Sequence, residues 1–238
     1  MTIEIRADLR TELGVVRNQG RRPTCLAFAA SAVHRHTHRH GEELCVEWLY
    51  YHAVKRAGDR SDSGSTLHDT RAVLSKEGQP DESFWPYHDA SPDGALWRPP
   101  GEAVSVLRCG SAVCSPDLAR IRTEIEAGRP PVLALSVSDV FLGNWEEIEG
   151  EVLLRDDAEP VDTARGHAVV AVGYGLIRGE PCFLVRNSWG ERWGSNGHAW
   201  IRDSYIGRRL LGAFVAKQGA DDVLQSETSS HHGRPRLA

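Results

Sequence analysis

Apolar residues recur at helical spacing in the first half of the chain and form short β-branched and aromatic runs in the second half. The helical pattern predicts four helices, over 25–33, about 46–57, about 67–76 and 115–128. Thr24 stands at the N-cap position of the first helix, and Gly58 and Gly78 are typical of helix ends.

The second half predicts strands over 132–137, 167–174, 182–187, 198–201 and 213–216. Residues 1–16 are predicted as a strand and a loop, and 79–101 and 109–114 as loops. Helices followed by strands in separate halves indicate an α+β protein of two lobes. The polar segment 217–238 is predicted to be a disordered tail.

The composition is that of a folded globule, with 238 residues of which 40% are hydrophobic and seven are Trp. The net charge of −5 gives no reason to expect nucleic acid as a partner. No apolar run approaches the roughly 18 residues of a membrane span, and the charged N-terminus lacks the apolar region of a secretory signal peptide.

The five Cys have no disulfide or zinc spacing, which favours a reducing cytoplasm. Cys109 and Cys114 are then expected to be free thiols, and Cys45 and Cys182 to pack in the core.

Cys25 is the first candidate for chemistry because it is predicted to lie in the first turn of a helix. There the helix dipole and the unpaired amides lower the pKa of a thiol and favour the reactive thiolate. Gln19, on the loop that leads to this helix, carries an amide that can donate to an oxyanion beside the sulfur, and the backbone N–H of Cys25 is a second donor. Taken alone, a Cys near a helix start is more often a buried core thiol.

Two segments of the second half supply partners for such a thiol. His167 opens the apolar strand GHAVVAVGYG, from which its ring can reach into a cleft, although a surface His at a strand start is an equally good interpretation. Asn187 ends another strand, and its amide oxygen can accept the far N–H of an imidazole, with Trp189 shielding that hydrogen bond from water. The alternative is a turn-forming Asn among core Trp residues.

Together these segments resemble the papain family of cysteine peptidases. NQGRRPTCLAFAASAV, from Asn18, resembles the nucleophile block, and GHAVVAVGYG, from Gly166, resembles the histidine block. NSWGERWGSNG, from Asn187, matches the asparagine block at every fixed position. His167 and Asn187 follow Cys25 by about 140 and about 160 residues, close to the ~130–150 typical of the family. The resemblance spans roughly residues 8–216.

The resemblance implies a papain-like fold with a helical left lobe at about 8–110, a β-barrel-like right lobe at about 111–216, and the active-site cleft between them. It implies a cysteine endopeptidase with the catalytic residues Cys25 as nucleophile, His167 as acid and base, Asn187 as its orienter and Gln19 as oxyanion donor. The substrate-binding residues that it implies are Gly64, Ser65, Gly166 and Trp189. The expected partner is a peptide or protein substrate, with no cofactor, metal, nucleic acid or membrane.

The chain departs from the family pattern near the nucleophile. Arg22 replaces the first Cys of C-G-S-C, so the family's disulfide at that site is absent, in agreement with a cytoplasmic protein. Pro23 replaces a Gly, and Gly64-Ser65 stands where the family has a Gly-Gly that pairs with the substrate backbone. The short stretch before the matched region leaves no room for a long inhibitory propeptide, so a bacterial cytoplasmic type without one is expected.

Three alternatives stay open. The same fold can act as a peptide ligase or cyclase when an amine resolves the acyl-enzyme, or as a processing protease of narrow specificity. A pseudoenzyme that only binds peptide is disfavoured because all four catalytic residues are present.

The run HRHTHRH, His34–His40, has the i, i+4 spacing of a zinc or nickel site. A solvated helix end is the preferred interpretation, because no acidic or Cys ligand adjoins the run.

Overall fold

The computed structural model describes residues 3–58, 62–92, 94, 96–103, 105–114, 116–219 and 237. Its helices lie mainly in the first half, as the apolar pattern predicts. They are α1 (Cys25–His38), α2 (Val46–Arg56), α3 (Leu67–Lys76), α4 (Leu118–Glu126) and α5 (Asp203–Arg209). Its strands are β1 (Ile3–Asp8), β2 (Gly110–Cys114), β3 (Val132–Ser136), β4 (Trp145–Ile148), β5 (Glu151–Leu154), β6 (Gly166–Ile177), β7 (Glu180–Arg186), β8 (His198–Arg202) and β9 (Leu210–Lys217). The α+β class is therefore as predicted.

The described strands form one sheet in the order β2-β9-β3-β6-β7-β8-β5-β4, with β1 added on β6. The long strand β6 organises this sheet, because its first half pairs with β3 and its second half with β1 along the same edge. Its other edge pairs with β7. The register sets His167 opposite Leu135 at the start of β6. The histidine backbone is thus fixed by a central strand of the sheet.

The sheet buries both of its faces, which explains the nearly continuous apolar run of β6. Successive side chains of a strand point to opposite faces, and β6 alternates accordingly. Ala168, Val170 and Val172 join the core that includes α1, α2 and α3, whereas Val169 and Ala171 join the core that includes α4 and α5. The sheet is therefore packed between two layers of helices.

Helix α1 lies at the centre of the helical layer and is buried along most of its length. It begins at Cys25, as predicted, but the Thr24 side chain does not cap it. The Thr24 hydroxyl instead forms a hydrogen bond of 2.9 Å with the Tyr87 hydroxyl. The first amides of α1 are thereby left for other acceptors.

The structure differs from the sequence prediction in several elements. Residues 110–114, predicted as a loop, form β2 along the edge of β9, and 144–154 contains the β4–β5 hairpin. The fourth helix starts after Asp117, whose carboxylate accepts from the Ala119 N–H at 2.8 Å, and Ser115 lies outside the described residues. The predicted tail, 217–238, also lies largely outside them. Of this segment, Lys217 ends β9 and Leu237 is buried.

All five cysteines are buried free thiols, which agrees with the prediction for Cys45, Cys109, Cys114 and Cys182. The Cys45 sulfur caps α2 by accepting from the Trp48 N–H at 3.3 Å. Among the described helices, none combines the length and the apolar character that crossing a bilayer would require.

Candidate active site

Cys25 lies where the first turn of α1 meets the start of β6. Its Sγ accepts a hydrogen bond of 3.3 Å from the Ala168 N–H, the residue that follows His167. The side chain of Cys25 is 0% exposed, and that of His167 only 2%. The predicted thiol thus lies against the backbone of the residue next to the predicted histidine, and both Cys25 and His167 are buried.

The hydrogen bonds of Asn187 determine the tautomer of His167. Asn187 Oδ1 accepts from the Ser188 backbone N–H at 2.8 Å and lies 2.7 Å from His167 Nε2. A backbone N–H can only donate, so the amide atom that it meets is the oxygen, and Nε2 must carry a hydrogen. In the neutral ring Nδ1 is then the basic nitrogen, the atom that can take a proton from a thiol. The structure therefore places Asn187 where the predicted orienting residue belongs.

Aromatic rings enclose this imidazole. The Trp189 ring lies 4.6 Å from the His167 ring, centroid to centroid, and the Phe141 ring 5.5 Å from it in an edge-on contact. Phe141 also contacts Trp189 and Trp193. Excluding water strengthens the His167–Asn187 hydrogen bond. Trp189 thus occupies the shielding position that the sequence predicts, although it was also expected to bind substrate.

The loop that carries Gln19 is joined to the loop that follows Asn187. The Gln19 backbone N–H donates to the Ser188 carbonyl at 2.8 Å, and its side-chain Oε1 accepts from the Ser188 hydroxyl at 2.6 Å. Gln19 Nε2 donates one hydrogen to the Arg22 carbonyl at 3.0 Å. An amide nitrogen carries two hydrogens, so one remains for another acceptor. The Gln19 side chain is held in a fixed orientation, as an oxyanion donor must be.

The pKa of the Cys25 thiol corrects one sequence expectation. A helix start was expected to lower it, but complete burial raises it to about 12, against the opposing hydrogen bonds of the Ala168, Leu26 and Cys25 amides. Removing a thiolate from water costs more than these donors return. In this arrangement the thiol is protonated at neutral pH. Ionisation therefore requires that the site open or that the proton pass to a neighbouring base.

The predicted substrate-binding residues Gly64, Ser65 and Gly166 lie around a residue of the chain's own C-terminal segment, Leu237. Ser65 and Leu237 form an antiparallel bridge, and Gly166 and Leu237 a parallel one. A Cβ at Gly64 would lie 2.2 Å from the Leu237 carbonyl oxygen, so only glycine allows this approach. The three residues therefore form two backbone edges that hold Leu237 between them.

Arg22 replaces the missing disulfide with a buried ion pair. Its guanidinium binds the Glu47 carboxylate of α2 through two hydrogen bonds, of 2.6 and 2.7 Å, and donates to the His88 carbonyl at 2.8 Å. Trp97 Nε1 donates to the same carboxylate at 2.6 Å. Burial lowers the pKa of Arg22, but the hydrogen bonds and charge of Glu47 outweigh burial and leave it raised. This pair fixes the loop that leads to Cys25 against α2.

The histidines of the run His34–His40, most of which lie in α1, form hydrogen bonds with separate partners. His34 is buried beside Gln79, 2.8 Å from its Oε1, and burial lowers the pKa of His34 to about 4. His36 lies 2.9 Å from the Gly128 carbonyl, and His40 is 2.7 Å from Asp81. The rings thus connect α1 to other parts of the fold, so the interpretation of a solvated helix end is wrong for His34.

The sequence alone does not indicate roles for Phe141, Ser188 or Ala168. Ser188 had a local signal, since it follows Asn187 within the matched block NSWG. Phe141 lies in a short 3₁₀ turn, Asp139–Leu142, in a stretch with no recognisable pattern. Ala168 acts through its backbone N–H, for which side-chain identity gives no clue.

Comparisons with known proteins point to one family. The family model described as papain family cysteine protease matches residues 2–208. The chain is 23% identical over 186 residues to Peptidase 1 of Psoroptes ovis, covering 78% of this chain and 56% of that protein. It is 24% identical over 186 residues to a cathepsin L-like proteinase of Fasciola hepatica, covering 77% and 55%. The chain thus spans little more than half the length of these relatives.

Solved structures show the same fold. Xylellain, a cysteine protease from Xylella fastidiosa, superposes with a TM-score of 0.74 at 26% identity, covering 92% of this chain and 87% of that one. The proform of the ragweed pollen cysteine protease Amb a 11 superposes with a TM-score of 0.71 at 21% identity, covering 92% and 66%. The predicted papain-like, two-lobe α+β fold is confirmed by these likenesses.

Proposed function

The chain belongs to the papain family of cysteine proteases, and from this premise we propose that it is a cysteine endopeptidase that hydrolyses peptide bonds through a thioester on Cys25. The observation that carries the proposal is the Asn187 hydrogen bond to His167 Nε2. It makes Nδ1 the basic nitrogen of the neutral ring, and the backbone N–H of the next residue, Ala168, contacts the Cys25 sulfur. A base whose far N–H is held by a third group is the arrangement that activates a nucleophile.

In the proposed reaction, His167 Nδ1 takes the thiol proton of Cys25, and the thiolate attacks the substrate carbonyl carbon. The oxyanion accepts hydrogen bonds from Gln19 Nε2 and the Cys25 backbone N–H, at about 3–4 kcal/mol per donor. Collapse of this intermediate breaks the C–N bond, and His167 protonates the leaving amine. Water, activated by His167, then hydrolyses the thioester and restores the thiol. Asn187 holds the ring in position throughout.

The Gly64, Ser65 and Gly166 edges support a peptide or protein as the substrate class, because backbone edges bind extended chains with little regard for sequence. Gly64 is suited to this role, since a side chain there would collide with the bound backbone. Trp189 is proposed to contribute by enclosing His167.

A peptide-library cleavage profile tests this function. We expect new carboxyl and amino termini after incubation, with no cleavage after treatment with the thiol-directed epoxide E-64 and full cleavage with a metal chelator. Mass spectrometry should place one E-64 adduct on Cys25. Adding an amine nucleophile separates hydrolysis from ligation by product mass. Cleavage that survives E-64, or no cleavage of any library member, would refute the proposal.

Replacing Asn187 by alanine is expected to lower kcat about 10- to 150-fold, the equivalent of one hydrogen bond to a charged group, about 1.5–3 kcal/mol. The reason is that the buried Nε2–H of His167 loses its acceptor and the ring is free to turn. Steady-state kinetics on one cleaved peptide measures the effect. Asn187→Asp keeps an acceptor for both Nε2–H and the Ser188 N–H and should recover most of the loss. Equal kcat values for the two variants would contradict the orienting role.

A further inference from the structure

Leu237 lies in the cleft as an added strand residue. Its N–H donates to the Ser65 carbonyl at 3.2 Å, and its backbone bridges Ser65 on one side and Gly166 on the other. Its carbonyl oxygen occupies the space that a Cβ at Gly64 would need. Both lobes therefore hold this one residue through their backbones.

The Leu237 side chain is also buried, at 1% exposure. It forms part of the wall of a cavity with a volume of about 220 Å³ that lies between α3 and the sheet. The other walls are mainly apolar and include Leu67, Ala134, Leu211 and Phe214. Burying a leucine side chain in such a cavity stabilises the docked segment through the hydrophobic effect.

The site of this contact is the proposed substrate cleft. Gly166 directly precedes His167, and Leu237 joins the same hydrophobic cluster as Cys25. A substrate chain that pairs with Ser65 and Gly166 needs the edges that Leu237 already occupies. Docking of Leu237 and binding of such a substrate are therefore mutually exclusive.

We propose that the C-terminal segment is an intramolecular inhibitor, in which Leu237 docks in the cleft in place of a substrate residue. This inference rests on the proposed function for its effect on turnover. An inhibitor tethered to its own enzyme acts at a high effective concentration. Substrate must displace it, so the docked segment raises the apparent KM and leaves kcat unchanged.

The test is Leu237→Asp in the full chain, which removes the buried leucine side chain and places a carboxylate against walls that are mainly apolar, so docking is disfavoured. Its matched control is Leu224→Asp, the same change elsewhere in the C-terminal segment. We expect Leu237→Asp to lower KM by about tenfold or more with kcat unchanged, and the control to match wild type. Unchanged KM in Leu237→Asp, or a fall in kcat together with thermal stability, would overturn the proposal.

Alkylation of Cys25 by iodoacetamide gives a readout that does not depend on proteolysis. Leu237→Asp should react faster than wild type and the control, because Cys25 and His167 are buried in the structure in which Leu237 occupies the cleft, and an empty cleft gives the reagent access. Faster alkylation without cleavage of any peptide would uphold docking and refute the peptidase function. Equal alkylation rates with normal cleavage would refute docking and leave the peptidase function intact.

A synthetic peptide of residues 231–238, HHGRPRLA, identifies the occupant. It should inhibit Leu237→Asp competitively, and the same peptide with aspartate in place of leucine should not. Wild-type specific activity should not change on dilution, because the inhibitor belongs to the same chain. An increase on dilution would show that a second copy supplies the segment and would overturn the intramolecular proposal.

Discussion

Replacing Cys25 by alanine is expected to reduce kcat by roughly 10⁶-fold. Loss of the nucleophile in a catalytic unit of this kind costs on the order of 10⁶ in kcat, because the remaining groups cannot act without it. No acyl-enzyme can form on a methyl side chain, however well Gln19 and His167 are placed. Single-turnover cleavage of a library-derived peptide measures the loss, and E-64 labelling should disappear with it.

Cys182→Ala is the matched control for this experiment. Cys182 is also a buried free thiol, on β7, and burial raises its pKa to about 11. It takes part in no proposed step, so its variant should keep wild-type kcat and E-64 labelling. Peptide cleavage by Cys25→Ala at a rate near that of wild type would rule out the thioester mechanism.

Arg22→Ala is expected to lower the free energy of unfolding by about 3–5 kcal/mol, because it leaves the Glu47 carboxylate buried without its counter-charge. The two side chains are almost inaccessible, at 1% and 3% exposure. Arg22 also holds the His88 carbonyl, so the loop before Cys25 loses two attachments at once. Urea denaturation followed by Trp fluorescence measures the change.

Two further variants make this prediction specific. Arg208→Ala removes an exposed ion pair with Asp156 and should cost no more than about 1 kcal/mol. The double variant Arg22→Met/Glu47→Leu removes both buried charges and should recover part of the lost stability. A cost for Arg22→Ala as small as that for Arg208→Ala would show that the buried pair does not hold the loop.

The sequence predicts the elements whose local chemistry marks their ends. Helix α3 matches its predicted bounds because Thr66 caps it, accepting from the Asp69 N–H at 3.1 Å, and Gly78 adopts a positive φ just beyond it. Strand β2 was missed because GSAVC mixes small and polar residues, and its pairing with β9 determines its structure. Helix α5 was likewise missed, since Gly207 weakens its helical pattern.

In the candidate site, too, residues marked by local sequence motifs are predicted, and contacts made across the fold are not. The matched blocks predict Cys25, His167, Asn187 and Gln19, and the structure gathers their segments around the start of β6. The docking of Leu237 has no local signal, because a single leucine in a polar segment looks the same whether free or bound. The position of Leu237 depends on the cavity that takes its side chain and on the backbones of Ser65 and Gly166 that bridge it.

The Arg22–Glu47 pair makes the attachment of the loop before Cys25 independent of reductants and oxidants. A sulfur–sulfur crosslink beside Cys25 would invite thiol–disulfide exchange, since an attacking thiolate needs only access to one of the bonded sulfurs. The guanidinium–carboxylate clamp contains no sulfur, and the cysteines are all free. Strong reductants that keep the nucleophile in its active form therefore leave the clamp intact. The same reducing solution can therefore keep Cys25 as a thiol without weakening the attachment of the loop before it.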